Sequence, residues 1–466
     1  MPVLRSRNAA VLVKAESTPG TYDAPDTTTG GVLVENPQIG FSPQNVQTNE
    51  VTGSLDSEGP LVGGMQCSIS FRAYLKGNGV PGTSPEWGKL MEACSWDEVA
   101  TRTVITGTTF SIADTNSLAD SGSGLAALTI GTPIYVSGFD DDANNGEFIV
   151  AASAAGEIDL VKADGSAPGL VAEAAGNTIT IAYGVAAVAA TAGTTIAATA
   201  QSPWSNTANA YRGMPVFVSG NPATPRQSQI ADYTAGRVAT LVDAFGSALD
   251  TDTDIGIPAH VLYKPNSASI PSDSIAVYMD GVVYRFRGCR GTVNLAMAAG
   301  GAWTADFQMT GLFESKADAA VPTPSYDGTR PGVWRDSIFS IDRTAVGLGQ
   351  MSLNTGAQTT YPPNPNDAEG FDPPEIVSRA MTCQIDPNAV LVATRDILSD
   401  MRAGTSRVIH ARLKGGNASR PGARLGVVVP DAFYTGFSPT DRQGISAEQV
   451  DFFPRGKDSG AFIAVW

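Results

Sequence analysis

One order of elements occurs twice along the chain, and it restricts the fold more than any other feature. In residues 65–75, MQCSISFRAYL, the side chains of Met65, Cys67, Ile69, Phe71, Ala73 and Leu75 alternate with Gln, Ser, Arg and Tyr. A period of two marks a half-buried strand. After a glycine-rich turn comes SPEWGKLMEACSW. There Ser84 is placed to cap a helix, Pro85 suits its first position and Glu86 favours the positive end of its dipole. Trp87, Leu90, Met91 and Cys94 share one helical face, so a short amphipathic helix docked on a sheet is expected. Further along, Met381-x-Cys383-x-Ile385 repeats Met65-x-Cys67-x-Ile69. Asp386-Pro387 is expected to open a second helix, along which Val390, Leu391, Thr394, Ile397, Leu398 and Met401 keep the 3.6 period until Gly404 ends it. Each copy closes on two long β segments joined by a polar loop: RGTVNLAMA with WTADFQMTGLF, and RLGVVVPDAFYTGF with ISAEQVDFFP. A three-residue match proves little; the shared order of strand, helix and paired strands carries the duplication.

Composition agrees with a mainly β chain. Of 466 residues, 42% are hydrophobic and only 16% charged, with 50 Gly and 30 Pro. That mix suits many short strands joined by turns. The net charge of −16 argues against a surface that grips duplex DNA through clustered Lys and Arg. An acidic wall would instead let DNA slide past, although acidity also serves plain solubility. The first residues hold no apolar run long enough for a signal peptide, and no segment approaches a membrane span, so assembly in the cytosol is expected. Cys67, Cys94, Cys289 and Cys383 form no CxxC pair and sit on apolar phases, as buried free thiols would.

Between the first helix and the hairpin IAVYMDGVVYRF, whose Asp280-Gly281 suits a type I′ turn, lies a different region. It carries its own repeat: GTPIYVSG at 131–138 matches GMPVFVSG at 213–220, AAGEIDLV at 154–161 matches TAGRVATLV at 234–242, and GTTF at 107–110 echoes GTTI at 193–196. Two tandem β modules, 101–185 and 186–270, are therefore expected as an insertion protruding from the first copy of the larger unit. That unit then comprises 1–100 plus 271–315, and its second copy 316–466. The stretches 42–63 and 356–375 resist regular structure and precede the equivalent strand in each copy. They read either as surface excursions or as partner contacts.

Little in the chain suggests chemistry. There are two histidines, His260 and His410, and no nucleophile elbow, zinc-helix motif, Walker loop or dinucleotide fingerprint. Neither an enzyme nor a bound cofactor is expected. Asp140, Asp142 and Asn144, and likewise Asp250, Asp252 and Asp254, alternate as calcium ligands do, but the glycine falls one place late and position twelve is Ala151 or Val261. Asp/Gly-rich turns explain both runs equally. Arg285, Arg287 and Arg290 form the one dense basic patch, interleaved with Tyr284 and Phe286. It reads as a nucleic-acid platform or, preferably, as a partner for the acidic loops of a neighbouring subunit.

The opening RNAAVLVKAESTPGTYDAPDTTTGGVLVENPQIGFSP resembles the start of tail tube proteins from long-tailed, non-contractile phages. So does the succession GSLDSEGPLVGGMQCSISFRAYLKG, PGTSPEWGKLMEACSW and DGVVYRFRGCRGTVNLAMAAGGAWTADFQMTGLFE. The likeness spans 1–100 and 271–466, and 101–270 departs from it. It implies two β-sandwich units, each flanked by a helix, whose inner sheets join around an acidic lumen that conducts DNA at ejection. Members with an internal duplication form trimeric, pseudo-hexameric rings. Also implied are inter-ring contacts through the two loops (Asn49, Glu50, Leu55, Asp56, Tyr361, Asp367, Phe371), partners at the tail tip, tape measure and tail terminator, and a place in the virion tail. The alternatives are a capsid decoration or adhesin with stacked β modules, or a polysaccharide-active β enzyme with paired carboxylates.

Overall fold

The computed structural model describes residues 5, 7–48, 50–51, 53, 59–220, 226–414 and 420–466. The chain is mainly β, and its largest sheet holds seventeen strands. The alternation at 65–75 appears as the strand Leu61–Tyr74, with Cys67, Ile69, Phe71 and Ala73 all buried. Asp280 (φ 38°) and Gly281 (φ 103°) make the tight turn between Asp273–Met279 and Val282–Ala298, where Met279 faces Val282.

Within the large sheet, two runs of six antiparallel strands follow one order. The first passes from Ala9–Ala15 through Asp273–Met279, Val282–Ala298, Thr304–Asp318 and Leu61–Tyr74 to Val34–Val46. The second passes from Ile338–Ile341 through Arg407–Leu413, Leu425–Arg442, Ile445–Pro454 and Thr382–Pro387 to Leu348–Asn354. One apolar core serves both, drawing Phe286 and Phe307 from the first and Ile385, Tyr434 and Phe452 from the second, with Trp87 and Trp96 added from the segment that follows Leu61–Tyr74. Trp96, fully enclosed, donates its indole N–H to Thr355 Oγ1 at 2.9 Å and so ties the two halves together.

The helices depart from the sequence expectation at their starts. Helix α1 is Gly88–Ala93, without a side-chain cap. Ser84 is diverted: its hydroxyl donates to Glu98 instead of holding the first turn. Trp87, Leu90, Met91 and Cys94 are all buried as expected. Helix α2 is Ile397–Ala403, capped by Asp396, whose carboxylate accepts from Ser399 N at 2.9 Å, and ended by Gly404 at φ 68°. Asp386-Pro387 does not open it. Asp386 instead accepts from Gly349 N at 2.9 Å, which keeps the chain extended in the sheet. Val390 and Leu391 are consequently exposed and outside any helix.

Residues 103–183 form a seven-stranded sheet and 185–257 a closed six-stranded barrel. Their strands follow the same neighbour order, beginning Thr103–Gly107, Ile179–Tyr183, Pro133–Ser137 in one and Val185–Gly193, Asp254–Ile257, Pro215–Ser219 in the other. Val185–Gly193 is long enough to pair Ala197–Ala200 and close the barrel, whereas the five-residue Thr103–Gly107 leaves its counterpart open. Each body has its own apolar core, around Leu118, Phe148 and Ile181 in the sheet and Trp204, Phe217's neighbour Val216, and Leu241 in the barrel.

Candidate functional site

The two runs are joined by one seam. Val282–Ala298 gives its first half to Asp273–Met279 and, along the same edge, its last residues to the second run: Asn294 faces Asn354, Leu295 faces Leu353 and Met297 faces Met351. Leu295, Met297, Met351 and Leu353 are all buried, so the sheet crosses the seam without exposing apolar surface.

The corresponding edges elsewhere are open. Among the described residues, Val34–Val46 is paired along one side only, with Leu61–Tyr74. Phe433–Arg442 is likewise paired on one side only, with the hairpin partner that ends at Pro454. Both present unpaired backbone N–H and C=O groups, and such edges template pairing with another chain. Phe41, 40% exposed, and Val46, 54% exposed, lie along the first of them.

A strap from Gly356 to Arg379 crosses the seam on the chain's own first run. The Tyr361 hydroxyl lies 2.9 Å from the Cys67 carbonyl and 3.2 Å from that of Gly311, two residues paired across neighbouring strands. Burial pushes the phenol up to about 12, so it stays a donor. Asp367 meets Arg287 at 3.0 Å, and backbone donation from Glu369, the Arg287 hydrogen bond and the Arg287 charge together outweigh desolvation, holding the carboxyl below its usual range. Phe371 packs edge-on to Tyr361 at 6.0 Å. A Cβ on Gly288 (φ +64°) would approach Pro373 to 2.6 Å, which shows how closely the strap lies on the strand. Tyr361→Phe is expected to lower stability by about 1 kcal/mol, the net worth of one hydroxyl bond, read as a shift in denaturant midpoint.

The basic patch therefore finds its acids within the chain. Arg287 also meets Glu314 at 3.3 Å. Arg290, buried, meets Glu375 at 2.6 Å and donates to the carbonyls of Ile270, Pro271 and Pro374. Arg285 donates to Ser315 Oγ at 3.3 Å. Within the chain, the acidic partners of this patch come from its own strap and from Glu314. Tyr361, Asp367 and Phe371 are half-buried in that intramolecular contact. Of the other loop, Glu50 is exposed, while Asn49, Leu55 and Asp56 lie outside the described residues.

The remaining candidates have structural partners. Asn144 is buried and bonds Val171 O and Glu173, both at 2.9 Å, closing its turn. Asp140 donates its backbone N–H to Glu173, Asp142 opens a single 3-10 turn, and Asp250 accepts from the backbone of Asp252. Asp254 belongs to a barrel strand, its carboxyl pushed up by burial. Among the described residues no three His, Cys, Asp or Glu converge as a metal site. Both histidines are fully buried, His260 Nδ1 at 2.9 Å from the Pro258 carbonyl and His410 Nε2 at 3.1 Å from Gln229 Oε1. The four cysteines are buried and free.

Residues 229–448 match a family model described as phage tail tube protein. The matched span takes in five of the second run's strands whole and the start of the sixth, Ile445–Pro454, together with the three strands 273–318 of the first. It covers 271–448 of the likeness read from the sequence and lies C-terminal to residues 1–100. The match supports a structural subunit of the phage tail tube, a component of the virion tail that assembles with itself. No curated protein matches the chain.

Proposed function

We propose that the chain is the repeating subunit of a long, non-contractile phage tail tube, in which three copies close into a pseudo-hexameric ring. The observation that carries this reading is the seam. Each run is one tube unit, and the seam joins two of them edge to edge; the open edges of Val34–Val46 and Phe433–Arg442 occupy the equivalent places at the outer ends. Continuing the sheet through these edges from copy to copy would bring six runs into a ring and leave no edge exposed. The stacked rings would enclose an acidic lumen for passing DNA, consistent with the net charge of −16. Residues 1–100 with 271–315 form the first unit and 316–466 the second, with 101–185 and 186–270 as outward modules. Contact between rings falls to the hairpin loop that includes Glu50, while tail tip, tape measure and terminator proteins bound the tube at its ends and along its bore.

The seam also supplies a register. Aligning the two copies of the Met-x-Cys-x-Ile motif makes Asn354 equivalent to Ser42, and Asn294 equivalent to Thr440. Ser42 of one copy should then face Thr440 of the next, and Phe41 should face Asp441. Adjacent pairs alternate in geometry along an antiparallel ladder, so one of the two suits a disulfide. Because the native cysteines are buried, the double variants Ser42→Cys/Thr440→Cys and Phe41→Cys/Asp441→Cys give clean readouts. Tubes in electron micrographs, with oxidised dimers and trimers from one pair, are expected. Tubes without cross-links would overturn the register, and monomers under every condition, including incubation with assembled tails, would overturn the tube reading in favour of a decoration protein.

A further inference from the structure

Where the barrel meets the second run, a cavity of about 540 Å³ opens between Arg226, Asp243 and Phe245 on one side and Ile338, Arg412 and Arg424 on the other. Four cationic side chains line it, Arg226, Arg412, Lys414 and Arg424, against two carboxylates, Asp164 and Asp243. Such a concentration is out of character in a chain of net charge −16.

The buried members explain why the site invites a ligand. Arg424, 8% exposed, is matched by Glu147 at 2.7 Å. Arg412, 7% exposed, is matched less well. One guanidinium nitrogen donates to the Gln227 carbonyl at 2.8 Å, but the nearest carboxylate, Asp243, stands at 3.8 Å. Asp243 Oδ2 is itself buried without a hydrogen-bond partner among the described residues. Desolvation disfavours the Arg412 charge, opposed by Asp243 and reinforced by nearby Arg424. A buried guanidinium is costly unless its donors are satisfied, and a planar carboxylate satisfies two of them at once. At the rim, Arg226 lies over the Phe245 ring at 5.8 Å, and neither it nor Lys414 makes an ion pair among the described residues.

We propose that this cavity binds a carboxylate-bearing sugar, a uronic acid or similar monoanionic residue, free or within a polysaccharide. Arg412 anchors the carboxylate, and Arg226 and Lys414 close on it from the rim. Charge decides between anions. Four cations less Asp164, Asp243 and the Glu147 that neutralises Arg424 leave a surplus of one, which suits a single carboxylate and not a phosphate dianion. Phe245, Ile338 and Leu413 supply the apolar wall on which a sugar's C–H face packs, while Asp164 and Asp243 accept from its hydroxyls. A cavity at the root of the inserted modules would be reachable from outside an assembled tube, but the binding itself does not depend on the tube reading.

The test titrates the full chain with glucuronate, glucose and inorganic phosphate by calorimetry. Glucuronate should bind more tightly than either, and a uronic-acid oligosaccharide should bind at least as well. Arg226→Ala/Lys414→Ala changes exposed residues only and should weaken glucuronate about tenfold while leaving the melting temperature in place. Arg412→Lys, which loses the planar fork but keeps the charge, should weaken it further. Tighter binding of phosphate, equal binding of glucose, no heat from glucuronate, or an unchanged affinity in the rim variant would each overturn the proposal.

Discussion

Replacing Lys76 with methionine is expected to cost the fold about 3–5 kcal/mol, the usual penalty for removing one member of a buried ion pair. Lys76 and Glu86 lie 3.3 Å apart with side chains only 4% and 6% exposed. The pair is also the anchor for the segment that leads from the first run to the second. Lys76 donates to the Asp327 carbonyl at 2.8 Å, and Glu86 accepts from Asp327 N at 3.2 Å, while Asp327 accepts in turn from Glu86 N at 2.9 Å. Burial already pushes the Glu86 carboxyl up, with Lys76 opposing the shift. Without Lys76 the carboxylate stands uncompensated beside Asp327, and its pKa should rise further. The sign of the pH dependence follows: an acid whose folded pKa is raised loses stability as pH increases, so the deficit of Lys76→Met should shrink on acidification. Urea unfolding of the variant at several pH values measures both effects. A deficit below about 1 kcal/mol, or one that grows toward low pH, would show that the pair is dispensable.

How far the sequence could be read depended on whether a residue's partners were local. The strand at 65–75 was legible because its alternation needs only a buried face and an exposed one, and Gly404 because a left-handed helix end is a local demand. The helix starts were not. Ser84 and Asp386 have the chemistry of caps, but Glu98 and Gly349 compete for them from distant segments. The seam was invisible for the same reason: Asn294 and Asn354 carry no signal of each other, and only the doubled strand order makes sense of their pairing. The basic patch shows the same limit. Arg287 and Arg290 pair with Asp367 and Glu375, about 80 residues further along the chain, and no local pattern announces those partners. Asp367 and Glu375 are within reach because the second run folds beside the first.

Acidification should act on the fold through His410, and a variant comparison isolates it. Burial pushes its imidazole down to about 4, whereas an unfolded histidine titrates near ~6.5. Between those values the unfolded chain binds a proton that the folded chain refuses, so stability is full above pH ~6.5 and falls as pH drops toward 4. The shift is worth on the order of 3 kcal/mol. His260, also pushed down to about 4, adds a contribution of the same sign. The total pH curve will be flatter than their sum, because Asp273 and Glu92 are raised by burial and favour the folded state as they protonate. His410→Gln retains a side chain able to bond Gln229 and removes the titration. The difference in unfolding free energy between wild type and variant should therefore narrow or reverse, by about 3 kcal/mol in the variant's favour, between pH 6.5 and 4. A difference independent of pH would mean that His410 accepts its proton in place. The barrel, whose Gln229 faces it, would then yield to a charge at its junction with the second run instead of excluding it.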